Sequence, residues 1–301
     1  MKHGDPRDER QAALLAYVGR RSGAAARITN LSRDVGRLSV VWRVDPIGDS
    51  PWILKLHEAR GLAEQEIAAL RHQAPCMEAA SGVAVPELLD VDVASGALAL
   101  GVVGTHDYLD AKLEPAGHGA VYEAAGRAAA ALGELVAEGV MLLDVLQPRA
   151  QRYLALAEDC FGPRAYEVLT KRVGDTTCLR GQPAPYVHGD ASPRNWRVAG
   201  MGGEELAVGW IDWERSRPGC TMDDYIWLPF RFAVDRPDLL AAFSRGYGRP
   251  FSDREHDQMA WLAAMNLAGA IPWALARGET TYVAELAAMA PRILDGLPWD
   301  A

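Results

Sequence analysis

Lysine is almost missing from this 301-residue chain: Lys2, Lys55, Lys112 and Lys171 stand alone among 31 basic residues, the rest being arginine. Scarcity makes the position of each lysine informative. Cysteine is sparse and unpaired in pattern. Cys76, Cys160, Cys178 and Cys220 are scattered with no C-x-x-C, so neither a disulfide framework nor a zinc knuckle is indicated, and reduced, mostly buried thiols are expected. The seven histidines never fall at H-x-x-x-H spacing, which removes a helix-borne metal pair. A basic excess is lacking as well. The net charge of -9 and pI near 5.3 argue against nucleic acid as a partner. The opening MKHGDPRDERQ has no apolar signal core, and no apolar run reads as long enough to span a bilayer. A cytoplasmic protein with no membrane partner is the expectation, as a monomer or homodimer.

What is present is ordinary for a globular chain: 49% hydrophobic and 24% charged residues, in a length that holds one large domain or two lobes. Helical spacing runs over 6–21, with Leu14, Leu15 and Val18 on one face. Strand-like runs follow at 26–31, 38–44 and 52–56. A helix at 61–71, stopped by Pro75, precedes two more strands at 86–91 and 97–103. Beyond Gly104, helical patterns cover 121–138, 148–158 and 163–172, a strand cluster occupies 185–213, and helices resume at 223–232, 237–247, 254–276 and 280–295. The predicted class is α+β: an antiparallel sheet lobe with one helix, 1–104, then a larger, mainly helical lobe, 105–301.

The chemistry concentrates in YVHGDASPRNWRVAGMGGEELAVGWIDW, from Tyr186 to Trp213. His188-Gly189-Asp190 is followed five residues later by Asn195, and a second apolar run delivers Asp212. Gly189-Asp190 alone would suit a surface turn. With Asn195 and Asp212 it supplies what phosphoryl transfer requires: a carboxylate to orient and deprotonate an acceptor hydroxyl, plus an amide oxygen and a second carboxylate for magnesium. Lys55 lies inside the apolar strand WILKL, where an ammonium is costly without an anion; Glu66 and Glu64 on the following helix both stand within reach.

These motifs resemble the aminoglycoside phosphotransferase and choline kinase-like family, with its H-G-D-x-x-x-x-N loop and I-D-[WF] strand. The resemblance implies a two-lobed, protein kinase-like fold and a kinase of a small-molecule hydroxyl, using ATP or GTP with Mg2+. It implies Asp190 as base, Asn195 and Asp212 on the metal, and Lys55 on the phosphates. Glu66 is its partner, favoured over Glu64 by the E-x-x-x-L register. Ser32 and Gly36 would contact phosphate from a turn that lacks G-x-G-x-x-G. Backbone groups from Leu100 to Val102 would meet the base near the lobe junction. The loop departs from the commonest wording at Ala191-Ser192-Pro193-Arg194, which brings Arg194 toward the acceptor. Asp224 resembles a residue that braces the catalytic loop and, with Trp227, Trp261 and Trp273, is also a candidate for the acceptor side. An antibiotic acceptor is preferred. A metabolic one (choline, homoserine, methylthioribose or a sugar) and a catalytically idle nucleotide binder remain the alternatives.

Overall fold

The computed structural model describes residues 6–22, 26–32, 39–92, 95–200 and 205–295. Helix α1 (Pro6–Ser22) leads into strands β1 (Ala26–Asn30), β2 (Ser39–Pro46) and β3 (Trp52–His57). Helices α2 (Arg60–Arg71) and α3 (Gln73–Ser81) then precede β4 (Leu88–Asp92) and β5 (Ala97–Gly101). The five strands form one antiparallel sheet in the order β1-β2-β3-β5-β4. β3 and β5 are therefore interior strands, and apart from the half-buried Ile53 their apolar residues are buried on both faces. The sheet carries two helices between β3 and β4 where the sequence predicts one. Pro75 does not end helical structure, because it falls in the first turn of α3, where its missing N–H would have no intrahelical acceptor.

α1 packs on this sheet through Tyr17 and Val18, with Tyr17 edge-on to Trp52 at 6.3 Å. Leu15, predicted on the packed face, is exposed instead. The thiols also differ from expectation. All four are free, as expected, but only Cys220 is buried, and Cys76 is exposed.

After the two-residue β6 (His106–Asp107) the chain becomes mainly helical: α4 (Pro115–Gly133), α5 (Leu142–Ala157) and α6 (Pro163–Gly174), with β7 (Val136–Met141) between α4 and α5. β7 corrects the predicted 121–138 helix, whose last residues are strand; α5 begins before Pro148 and runs through it. β8 (Pro183–Val187), β9 (Trp196–Ala199), β10 (Ala207–Trp210) and β11 (Arg217–Pro218) complete two three-stranded sheets, β10-β9-β6 and β11-β8-β7. Helices α7 (Pro237–Tyr247), α8 (Asp253–Ala276) and α9 (Thr280–Asp295) close the fold. Between β11 and α7 the predicted helix at 223–232 is a 3-10 turn, Thr221–Asp224, followed by a π-turn, Leu228–Phe232.

α4 crosses α7 at backbone contact. A Cβ on Gly126 would lie 2.7 Å from Tyr247 N and 3.0 Å from Gly246 C, so only glycine permits this approach. α8 is, among the described residues, the one helix long and apolar enough to cross a membrane, contrary to the sequence expectation. It is the central core helix: Trp261, Leu262, Met265 and Leu267 are fully packed among α5, α6 and α9. Its start is fixed by a capping box, in which Ser252 Oγ accepts from Glu255 N–H and Glu255 Oε2 accepts from Ser252 N–H.

Candidate active site

Two turns and one strand pair converge on the predicted residues. The first turn follows β8. Gly189 has φ of 84° and its Cα is pressed against the Arg215 carbonyl, a position that admits no side chain. Asp190 comes next, half-buried, its Oδ1 accepting from Ser192 Oγ–H at 3.2 Å. Asn195 Nδ2 donates to Asp190 O at 2.8 Å, which fixes the amide and leaves its Oδ1 for another partner.

Asp224 holds this turn from beneath. Its carboxylate accepts from His188 N–H and Gly189 N–H, both at 2.7 Å, and from Ala191 N–H at 3.4 Å. Burial beside Asp223 pushes the Asp224 carboxyl up to about 7, against the pull of Arg217 and these N–H donors. Asp223 itself is held by Arg149 at 2.7 Å, Arg217 at 2.8 Å and Asn266 at 2.7 Å. Buried Asp224 thus spends its oxygens on the loop, which corrects its expected place on the acceptor side. His188 is buried and neutral, pulled down to about 4 mainly by desolvation. Its Nε2–H donates to Ile211 O at 3.1 Å, while Nδ1 accepts from Asp190 N–H at 3.3 Å, tying the first turn to the second.

The second turn follows β10. Ile211 N–H donates to Asn195 O at 3.0 Å, setting Asp212 alongside the Asn195 turn. Asp212 adopts φ of 73°, an uncommon left-handed conformation for a side chain that is not glycine. Such strain is held in place by its surroundings, and here they are ionic. Lys55 Nζ makes a close ion pair with Asp212 Oδ1, and lies 2.8 Å from Glu66 Oε2 and 3.1 Å from Glu214 Oε2. Burial alone would lower the Lys55 ammonium, but Asp212, Glu66 and Glu214 outweigh it and hold Lys55 charged well above its ordinary range. Glu66 Oε1 accepts from Trp213 N–H at 3.2 Å, and Gln65 Nε2 donates to Ser216 O at 2.5 Å, so α2 grips the turn that carries Asp212. Glu64 is exposed and pairs with Arg60 at 2.8 Å, leaving Glu66 as the lysine's partner.

His57 and Glu214 are polar members of this cluster that the sequence reading passed over. His57 Nε2 lies 2.7 Å from Glu66 Oε2, and Nδ1 is 3.4 Å from Glu214 Oε2. For His57 a usable signal is present: it sits two residues beyond Lys55 on β3, and residues two apart on a strand share a face, whereas Glu214 lies in the 3-10 turn after Asp212, where no such spacing rule applies.

The other predicted positions fall less uniformly. Leu100 is buried in β5, paired with Ile53 and Leu88; Val102 follows the strand end. Ser32 Oγ accepts from Val41 N–H at 2.9 Å and so closes the β1–β2 connection. Gly36 lies outside the described residues. Arg194 is exposed in the loop that follows Asp190. Trp261 is a correction: it is 2% exposed, and its indole N–H donates to Val173 O at 2.9 Å inside the helical core. Trp227 packs on that same core. Trp273 is 44% exposed, with Arg277 4.5 Å from its ring and Tyr282 edge-on at 6.4 Å. Burial raises the Tyr282 hydroxyl, Arg231 and Arg194 oppose this, and Asp190 adds to it, which sets Tyr282 among the charges around the loop.

An ion-paired lysine, a braced H-G-D loop and a facing aspartate on a neighbouring turn are the parts phosphoryl transfer uses. The sequence matches the family described as the phosphotransferase enzyme family over residues 30–262. The chain belongs to that family. It is a phosphotransferase, with a small antiparallel sheet lobe joined to a larger helical part. No curated protein matches the sequence. Among solved structures, the fold is similar to the GDP and kanamycin complex of an aminoglycoside 2"-phosphotransferase, at TM-score 0.68 and 14% identity over 94% of this chain and 98% of that one. The GDP complex of aminoglycoside 2'-phosphotransferase-IIIa gives TM-score 0.70 and 13% identity over 95% and 98%. The macrolide 2'-phosphotransferase MphH from Brachybacterium faecium gives TM-score 0.62 and 21% identity over 92% and 97%.

Proposed function

We propose that this phosphotransferase moves the terminal phosphoryl group of ATP or GTP to a hydroxyl of an antibiotic. The observation that carries the donor half is Lys55, buried at 5% side-chain exposure, yet surrounded by Glu66, Asp212 and Glu214. A buried ammonium with three carboxylates is an expensive arrangement unless one of them has another cation to serve. The donor set suits magnesium: Asp212 offers a carboxylate that is still 31% exposed, and Asn195 an amide oxygen whose own nitrogen is already engaged. Bound there, the metal would neutralise charge on the phosphates. Lys55 would turn toward the same phosphates, with Glu66 limiting its swing. Backbone groups of Leu100 to Val102 would meet the base, with Ser32 and Gly36 near the phosphates, in a nucleotide lobe spanning 1–104 and a catalytic lobe spanning 105–301.

Asp190 takes or orients the acceptor proton. Its carboxylate is half-buried, its side-chain hydrogen-bond partner among the described residues is Ser192, and Asp224 holds the backbone on either side of it through Gly189 N–H and Ala191 N–H. An oxygen nucleophile fits this base, with Arg194 and Trp273 on the acceptor side. The antibiotic preference rests on the neighbours, of which one carries kanamycin beside GDP and another is a macrolide phosphotransferase. We place the enzyme in the cytoplasm, as a monomer or homodimer. The test is a mass-spectrometric screen of aminoglycoside, macrolide and nucleoside antibiotics beside choline and simple sugars, with ATP and GTP in turn. A gain of one phosphoryl group on an antibiotic is the expected result. Modification of a metabolite alone would replace this reading with a metabolic kinase.

A further inference from the structure

Lysine–glutamate pairing explains Lys55 and Glu66 but leaves His57 and Glu214 without a task. Both are buried, and both are costly. A carboxylate in the interior needs charge or hydrogen-bond partners, and Glu214 has Lys55 at 3.1 Å and His57 at 3.4 Å. Lys55 already serves Glu66 and Asp212. With His57 neutral, three carboxylates would share one cation; with an imidazolium, they share two. The titratable groups facing His57 are Lys55 on β3, Glu66 on α2 and Glu214 on the turn after β10, so two anions outnumber the one cation around it. Those two carboxylates hold the imidazole above its ordinary range despite burial and Lys55. His57 N–H donates to Gly96 O at 3.3 Å, which anchors the residue to the end of the sheet.

We propose that His57 is a positioning residue, bridging Glu66 and Glu214 so that both stay paired when Lys55 leaves Asp212 for the nucleotide phosphates. In the ligand-free arrangement Lys55 is shared among three carboxylates. Once it turns to phosphate, its charge is shared with the phosphate oxygens, so Glu214 loses its nearest cation and Glu66 keeps a weakened one. The imidazolium retains both, so the cost of releasing Lys55 falls. Glu66 still accepts from Trp213 N–H, and α2 stays fixed to the Asp212 turn. The inference rests on the nucleotide reading of Lys55.

The experiment titrates the full chain with MgATP in the absence of acceptor, so it does not depend on the acceptor's identity. His57→Gln keeps a hydrogen-bond donor and removes the charge; it is expected to weaken MgATP binding by about tenfold. In the wild type, affinity falls as pH rises past the ordinary histidine range and the imidazolium is lost; in His57→Gln that limb is flat. His57→Gln/Glu214→Gln deletes one charge of each sign and is expected to recover affinity to within about threefold of wild type. Wild-type affinity and pH dependence in the single variant would overturn the proposal. So would a double variant weaker than the single one, since that pattern means lost packing. If His57→Gln gives no cooperative melt, the double variant decides alone: folding and binding support the bridge, and failure of either overturns it. A wild-type chain that does not bind MgATP removes the nucleotide reading together with this one, so the two failures are told apart by the wild-type titration.

Discussion

On the β3 side of Asp190, charge is buried and multiply paired: Lys55 meets three carboxylates, and His57 bridges two of them. On the α9 side, charge is open. Arg194 is exposed, Arg231 reaches Glu285 at 2.7 Å while lying 4.9 Å from the Tyr282 ring, and Trp273 is bare on one face. The contrast follows from what each side has to hold. On the proposed reading the paired side holds polyphosphate and magnesium, whose concentrated charge demands fixed countercharge in a dry setting. Open residues make few demands on their neighbours. The paired side should therefore fail sharply when altered, and the open side gradually.

The largest effect is expected at the junction of the two sides. Asp190→Asn should lower turnover by about 10²- to 10⁴-fold, because an amide does not accept the hydroxyl proton. Nucleotide affinity should hold within about threefold, since Asp190 touches none of the Lys55 cluster. Steady-state kinetics beside nucleotide titration checks both, and full activity would remove the base assignment.

On the paired side, Asp212→Ala should abolish the magnesium dependence of nucleotide binding, and Asn195→Ala should reduce it less, a neutral amide contributing less to a hard cation. Titration with and without magnesium reads this. Equal affinities in wild type and both variants would take these residues off the metal and leave the charge cluster purely structural.

Asp224 sharpens the comparison by stability instead of rate. Its folded value near 7 lies above the ordinary carboxylate value of 3.8. The contribution is therefore fully present below about 4 and is lost as pH rises through about 7, by on the order of 4 kcal/mol. Asp224→Asn should remove that slope: measured against the variant, the wild type loses ground between pH 4 and pH 7. A pH series of denaturant melts decides. Parallel curves would mean that the N–H donors from His188, Gly189 and Ala191 keep Asp224 ionised throughout.

The same division explains what the sequence made legible. The donor side is written in motifs, because fixed chemistry demands fixed spacing: H-G-D-x-x-x-x-N, the aspartate after an apolar strand, a lone lysine inside WILKL. The five-strand sheet was legible from apolar runs broken by turn residues. β7 was not, because VAEGVM sits at the end of an alanine-rich helical pattern, and its pairing with β8 decides its conformation. His57 and Glu214 were passed over because a histidine and a glutamate beside selected residues look like ordinary flanks until the fold brings β3, α2 and the Asp212 turn together. Trp261 departs from expectation in the opposite sense. Aromatic enrichment on late helices says nothing about which ring faces a core, and its indole found Val173 O inside.

The smallest expected effect is on the open side and concerns acceptor charge. Arg194, four residues after Asp190 in the same loop, acts with Arg231 on Tyr282, as Asp190 does. A polycationic acceptor approaching Asp190 would meet this positive charge at the surface, where water screens it, so each exposed contact carries about 1 kcal/mol or less. Arg194→Ala should therefore improve KM for a polycationic aminoglycoside by a few-fold, roughly the tenfold-per-1.4 kcal/mol scale applied to such a contact. For an uncharged acceptor it should leave KM within about twofold. Salt separates this from a packing effect. Raising ionic strength should shrink the difference between wild type and variant for the cation, because surface repulsion is screened within a Debye length of about 8 Å at 0.15 M. Nucleotide KM should stay unchanged throughout, since Arg194 is no part of the Lys55 cluster. A matching loss for cationic and neutral acceptors would mean that Arg194 grips the substrate directly, and the open side would then be more like the paired one than its exposure implies.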